Sequence, residues 1–341
     1  MTAVRAFLRA ALMLFAALLF AQPVSAAGVK LTLINGWKNY SGTSKASVSA
    51  AYGIVHLKGA IKTSGNNPIP FVLPAQFRPA GNTFVPVDLC NATNGRLFID
   101  TAGNVTVQSE FEFSHAACQT SLDGASFALT SDNFKPLKLK NGWQAYGNGA
   151  LPPAARNING IVHFEGVLAN GNAVDAFTLP PAFRPAGVAY VKIGGIAGRN
   201  ARLEIQPTGS VFVSAENDFS DVQAFSSLDG AQFALDATGF TPLTLINGWE
   251  TYGGSAVPAI RVVSGTVYFE GAMHTNNNSP QPFVLPAGFR PPKTVYLPAD
   301  MCAGTNGRLV IATTGEVTVE AENDFLNAMC FTSLDGISFH L

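Results

Sequence analysis

The chain repeats itself with a constant step of 106 residues. Asn35-Gly36-Trp37 returns as Asn141-Gly142-Trp143 and Asn247-Gly248-Trp249, and Tyr40 returns as Tyr146 and Tyr252. Phe77-Arg78-Pro79 and Ser121-Leu122-Asp123-Gly124 keep the same step through both later copies. A solenoid unit has about 20 to 50 residues and cannot bury its apolar face alone, whereas about 100 residues make a complete sandwich with its own core. The repeat therefore predicts three tandem domains, at residues 27–129, 137–235 and 243–341. The linkers 130–136 and 236–242 are seven residues long and end in proline, whose fixed φ stiffens the exit. The register slips by one residue before Gly160 and recovers later, which marks a surface loop within 41–52, 147–159 and 253–264.

Within a copy, short runs rich in Val, Ile, Phe and Thr alternate with Gly, Pro and Asn turns. In the first copy these runs predict strands at 31–34, 53–58, 71–73, 83–89, 96–100, 104–110 and 126–129. A content of 33 Gly and 21 Pro argues against a helical bundle, and 47% hydrophobic residues argue against disorder. No segment of the mature chain requires an amphipathic helix. The expected fold is all-β, with three β-sandwich domains of the jelly-roll kind.

Arg5 and Arg9 precede an apolar run at 10–21, and Val24-Ser25-Ala26 places small residues before a cleavage point. This is the pattern of a secretory signal peptide at residues 1–26. The run falls short of the roughly twenty residues that cross a bilayer, so the mature chain is expected to be secreted or periplasmic, without a membrane span. Cys90 and Cys118 stand 28 residues apart, as do Cys302 and Cys330, while the second copy has Ile196 and Ala224 at those places. Thiols that appear and vanish in pairs predict the disulfides Cys90–Cys118 and Cys302–Cys330. No CxxC or HxxxH spacing accompanies them, and neither a metal nor a cofactor is expected.

Charge is balanced, 21 Lys+Arg against 22 Asp+Glu, so no basic stripe follows a nucleic-acid backbone. Walker, HExxH and GxSxG motifs are absent. His56 and His163 share a strand position that becomes Tyr268, which reads as packing rather than as a catalytic base. Glu110/Glu112, Glu216/Asp218 and Glu322/Asp324 read as solvated strand faces rather than as the paired acids of a glycosidase. No catalytic residue is assigned, and a non-enzyme is expected.

Three constellations carry the remaining chemistry. Trp37, Trp143 and Trp249, with Tyr40, Tyr146 and Tyr252, form either an aromatic platform for sugar rings or a plug at the end of each core. Arg78, Arg184 and Arg290 are candidates to pair with Asp123, Asp229 and Asp335. The loops 63–70, 170–176 and 275–282 carry Asn66, Asn67, Asn170, Asn172, Asn276, Asn277 and Asn278 and differ between copies, as recognition loops on a common scaffold do.

At the strings NGW…Y, GIVHLKG, FVLPAxFRP, GRL and SLDGxSF, the chain resembles a module near the C-termini of bacteriophage tail-fibre and receptor-binding proteins. The likeness covers residues 31–341, three times over. It implies a compact β-sandwich that works as a trimer and touches host-surface polysaccharide or protein. Three such modules in one chain can close into an intramolecular pseudo-threefold head, so a monomer with internal pseudo-threefold packing is expected. The expected function is that of an exported, non-catalytic binding or adhesion protein for cell-surface glycan or envelope material. The alternative is a structural envelope protein whose modules bind one another or a protein partner.

Overall fold

The computed structural model describes residues 28–341, so the leader assigned to residues 1–26 lies outside the described residues. The chain is all-β. Its first copy contains β1 (Val29–Lys30), β2 (Lys38–Asn39), β3 (Ser47–Ala51), β4 (Ile54–Lys58), β5 (Ala60–Lys62) and β6 (Phe71–Val72), followed by β7 (Thr83–Asp88), β8 (Asn94–Ile99) and β9 (Asn104–Ser109). A short helix α1 (Phe113–Cys118) then leads into β10 (Thr120–Ser121) and β11 (Ser126–Ala128). One antiparallel sheet has the order β1-β3-β4-β11. A second runs β6-β9-β8-β7 and continues through a Leu89–Thr120 bridge into β10-β5-β2. In the second copy these seven strands are continuous and gain an edge strand at Lys138–Leu139, giving an unbroken eight-stranded sheet.

Period-two alternation turns Val48, Val55, Leu57 and Phe127 of the first sheet toward Phe71, Val85, Leu97 and Ile99 of the second, around one buried cluster. Each later copy has its own equivalent cluster, centred on Phe164 and Phe233 or on Phe269 and Phe339. The β3–β4 hairpin turns on Tyr52-Gly53, and its counterparts turn on Asn159-Gly160 and Ser264-Gly265. Both residues of each turn have positive φ, between 49° and 87°, the geometry that matches the twist of the flanking strands.

The structure differs from the sequence reading at several places. Residues 31–34 form no strand, and β3 lies inside the window assigned to a surface loop. Its sequence SVSAA is small and polar, with little intrinsic strand preference, yet all five residues pair with β4. The structure adds three six-residue helices that the sequence did not require, α1, α2 (Phe219–Ala224) and α3 (Phe325–Cys330). Six residues are too few to show a helical period, and helices so short persist only through tertiary contact. The predicted cysteine pairs stand at disulfide distance, with Cα–Cα 5.7 Å in each, tying the end of α1 to the turn between β7 and β8 and the end of α3 to the corresponding turn of the third copy.

Contacts between copies recur with the sequence step and close into a ring. Asn94 Nδ2 donates to Gly198 O, Asn200 Nδ2 to Gly304 O, and Asn306 Nδ2 back to Ala92 O, at 2.5–2.6 Å. Ser227 Oγ donates to Phe84 O, Ser333 Oγ to Tyr190 O, and Ser121 Oγ to Tyr296 O. Each copy thus touches both others through equivalent residues.

Candidate functional site

The Asn-rich loops are held from behind by the repeated Asn-Gly-Trp turn. Trp37 Nε1 donates to Asn67 O, Trp143 Nε1 to Ala173 O, and Trp249 Nε1 to Ser279 O, at 2.7–2.9 Å. The turn asparagines Asn35, Asn141 and Asn247 donate through Nδ2 to Ile69 O, Asp175 O and Gln281 O, at 2.8–2.9 Å. Every copy therefore fixes the base of its loop with the same two bonds, while the tips read TSGNNPIP, NGNAVDA and TNNNSPQP. Asn66, Asn67, Asn170, Asn172, Asn276, Asn277 and Asn278 are all exposed. Thr63 N donates to Ala117 O and Asn170 N to Gln223 O, which seats the first two loops beside α1 and α2.

The aromatic residues have a different place. Trp37, Trp143 and Trp249 are only 3–4% exposed, and the first two meet Phe113 and Phe219 edge-on at 6.2 Å. A stacking platform needs an open ring face, so that reading of the tryptophans is corrected; they are plugs that also shape the loops. Tyr40, Tyr146 and Tyr252 are half-buried where copies meet. Tyr146 packs on Phe225, which packs on Phe84 of the first copy; Tyr252 packs on Phe331, which packs on Tyr190 of the second. Tyr40 faces Tyr296 of the third copy at 6.4 Å.

The expected arginine–aspartate pairs are also corrected. Arg78, Arg184 and Arg290 donate through Nε to Leu73 O, Leu179 O and Leu285 O, and they lie across Gly103, Gly209 and Gly315, where a Cβ would come within 2.5–2.8 Å of the guanidinium. The buried aspartates serve the joints instead. Asp123, Asp229 and Asp335 accept through Oδ1 from Gly59 N, Gly166 N and Gly271 N, at 2.8 Å. Asp229 and Asp335 accept a second bond through Oδ2, from Phe84 N and Tyr190 N of the preceding copy.

At the centre of the ring the structure gathers charges that the sequence reading had dispersed. Glu110, Glu216 and Glu322 bring one carboxylate oxygen each to within 4.8 Å of the other two. Their assignment to solvated strand faces is therefore corrected: ring closure joins three strand ends that are far apart in the chain. Burial and the neighbouring carboxylates push Glu110 up to about 7, and burial with a like neighbour also raises Glu216. Burial raises Glu322 as well. Lys192 lies next to this cluster and donates to Asn200 Oδ1 and Asn306 Oδ1. Burial draws its ammonium down to about 8, against the attraction of Asp300 and the three glutamates. The signal that could have revealed the cluster was the 106-residue step itself, which carries both Glu110, Glu216, Glu322 and Asn94, Asn200, Asn306. His56 and His163 are buried packing residues, held down at about 4 and about 3 chiefly by desolvation.

No protein-family model, curated protein or solved structure matches this chain. Among the described residues, no helix is long and apolar enough to cross a membrane.

Proposed function

We propose that the chain is an exported, non-catalytic binding protein that engages cell-surface glycan or envelope material with its Asn-rich loops. One observation carries the reading: an identical two-bond clamp fixes the base of a loop whose exposed tip differs in every copy. Exposed amides offer donors and acceptors together, which suits hydroxyl-rich surfaces, and a loop fixed at its base loses less freedom on binding. Two cysteine pairs at disulfide distance accord with an oxidising compartment. The likeness to phage receptor-binding modules points to the same kind of target and to a trimeric head. In this reading the three copies form that head within one chain. Small-angle scattering of a compact particle would support it, and a three-bead rod would refute it.

The test of function is binding of the oxidised mature chain to a glycan array and to isolated envelope polysaccharides. Its control replaces residues 64–67, 170–174 and 276–279 with Gly-Ser. Loop-dependent binding is expected. Binding that survives the replacement would move the site off the loops. Failure of a correctly folded protein to bind would favour the structural envelope protein, a reading supported by the ring of bonds through which the copies already hold one another.

A further inference from the structure

Where the second and third copies meet there is a cavity of about 450 Å³, within the size range of small-molecule sites. Pro185, Ala186 and Val188 line it from the second copy, Ala256 and Val257 from the third. Glu270 also lines it; this residue is 3% exposed, and its Oε1 is buried without a hydrogen-bond partner.

The junction of the first and second copies shows what occupies this place elsewhere. Leu151 stands there in the position of Ala256, packed so closely over Gly81 that a Cβ on that glycine would lie 2.8 Å from the leucine Cγ. Glu165 is the counterpart of Glu270, since Ala154–Glu165 and Ala259–Glu270 pair at equivalent points of their hairpins. Glu165 Oε2, like Glu270 Oε1, is buried without a hydrogen-bond partner, so what distinguishes the two junctions is the filled space and not the state of the carboxyl. The second junction therefore lacks the side chain that fills the space over the carboxyl at the first.

We propose that this cavity binds a small primary amine, with its ammonium on Glu270 and its apolar body against Ala256 and Val257. The site is separate from the loops and does not rest on their reading. Asp236 and Asp335 also line the cavity and, among the described residues, no lysine or arginine does, so the local field favours a cation. Both oxygens of Asp335 are already engaged, by Gly271 N and Tyr190 N, which leaves Glu270 as the open acceptor. An ammonium supplies the donor that a buried, unpartnered carboxylate lacks. Burial, with Asp335 and Asp236 adding to it, holds Glu270 up to about 7, so the site gains negative charge and affinity for the amine as pH rises through that value.

Cyclohexylamine is the probe, titrated into the full mature chain by calorimetry at a pH that leaves the amine protonated, with cyclohexanol as the uncharged ring of the same shape. Saturable binding at one site is expected, about tenfold or more tighter for the amine than for the alcohol, and tighter at pH 8 than at pH 6. Glu270→Gln should weaken amine binding by about tenfold or more. Ala256→Leu restores the residue that the first junction already accommodates, and should abolish binding of both probes while the chain stays folded. Equal affinity for amine and alcohol would overturn the proposal. So would undiminished amine binding by either folded variant, or a lack of saturation by about 10 mM amine.

Discussion

Two of the three contacts between copies are bridged by a linker and one is not, and they are built differently. At the linked junctions, Phe84 N and Tyr190 N donate to Asp229 and Asp335, and Phe225 and Phe331 pack against Phe84 and Tyr190. At the closing junction, between the third copy and the first, Asp123 Oδ2 has no partner and Gln119 stands where the others have phenylalanine. There Arg308 Nη1 reaches the buried Asp88 at 3.1 Å, and Glu320 holds the same guanidinium. The equivalent arginine of the second copy, Arg202, lies 3.6 Å from Asp300, and Arg96 reaches across its junction to Gly195 O rather than to a carboxylate, because Gly194 replaces the aspartate. A short linker keeps two neighbours at high effective concentration whatever their contacts. The unlinked pair has only its contacts, and it has the closest ion pair of the series.

The sharpest way to break this comparison is Arg308→Ala, which leaves Asp88 buried and unpaired. It should cost about 3–5 kcal/mol in chemical denaturation, and Arg202→Ala clearly less. Equal losses would erase the distinction between linked and closing junctions. Reduction of the two disulfides should cost about 3–4 kcal/mol for each 28-residue loop, with faster amide exchange in α1 and α3 and little change in α2. Asp229→Asn keeps an acceptor for only one of the two N–H groups that Asp229 serves and should cost about 1–3 kcal/mol, against under about 0.5 kcal/mol for Asp123→Asn, whose single bond the remaining amide oxygen can still accept.

Stability should also depend on pH in a definite sense. Burial holds Asp88, Asp123, Asp300 and Asp335 up to about 7, so the stability linked to their protonated forms is present in acid and is lost as pH rises through 7. His56 and His163 act oppositely: their contribution is present above 6.5 and is lost as pH falls toward about 4 and about 3. A stability maximum on the acid side of neutrality is expected in a Tm series, with Asp123→Asn flattening its alkaline limb. The smallest effect concerns the periphery. Replacing the Asn-rich tips should leave stability within about 0.5 kcal/mol, whatever it does to binding.

The long strands were legible because β4, β7, β8 and β9 are dense in Val, Ile, Leu and Phe and begin at or just after Gly or Asn. By contrast, β3 and β10 are made of Ser, Ala and Thr apart from Val48 and take their strand geometry from their neighbours, so local composition concealed them. The cysteine pairs and the loops were visible as regular presence and regular variation across copies. Whether Trp37 plugs or presents could not be read, since one tryptophan at a fixed position serves either role and burial decides. The glutamate cluster lay beyond local pattern altogether: its members are 106 and 212 residues apart and meet only because the ring closes.

Near the ring's centre, Lys192 faces Pro86 and Pro298, its counterparts in the other copies. In an assembly of three identical chains, every residue near the symmetry axis arrives in triplicate, so an ammonium there comes as three mutually repelling charges or not at all. Covalent fusion removes that restriction. The chain can set one positive charge against three carboxylates, a stoichiometry closed to a homotrimer, and sequence change near the axis can proceed one third at a time.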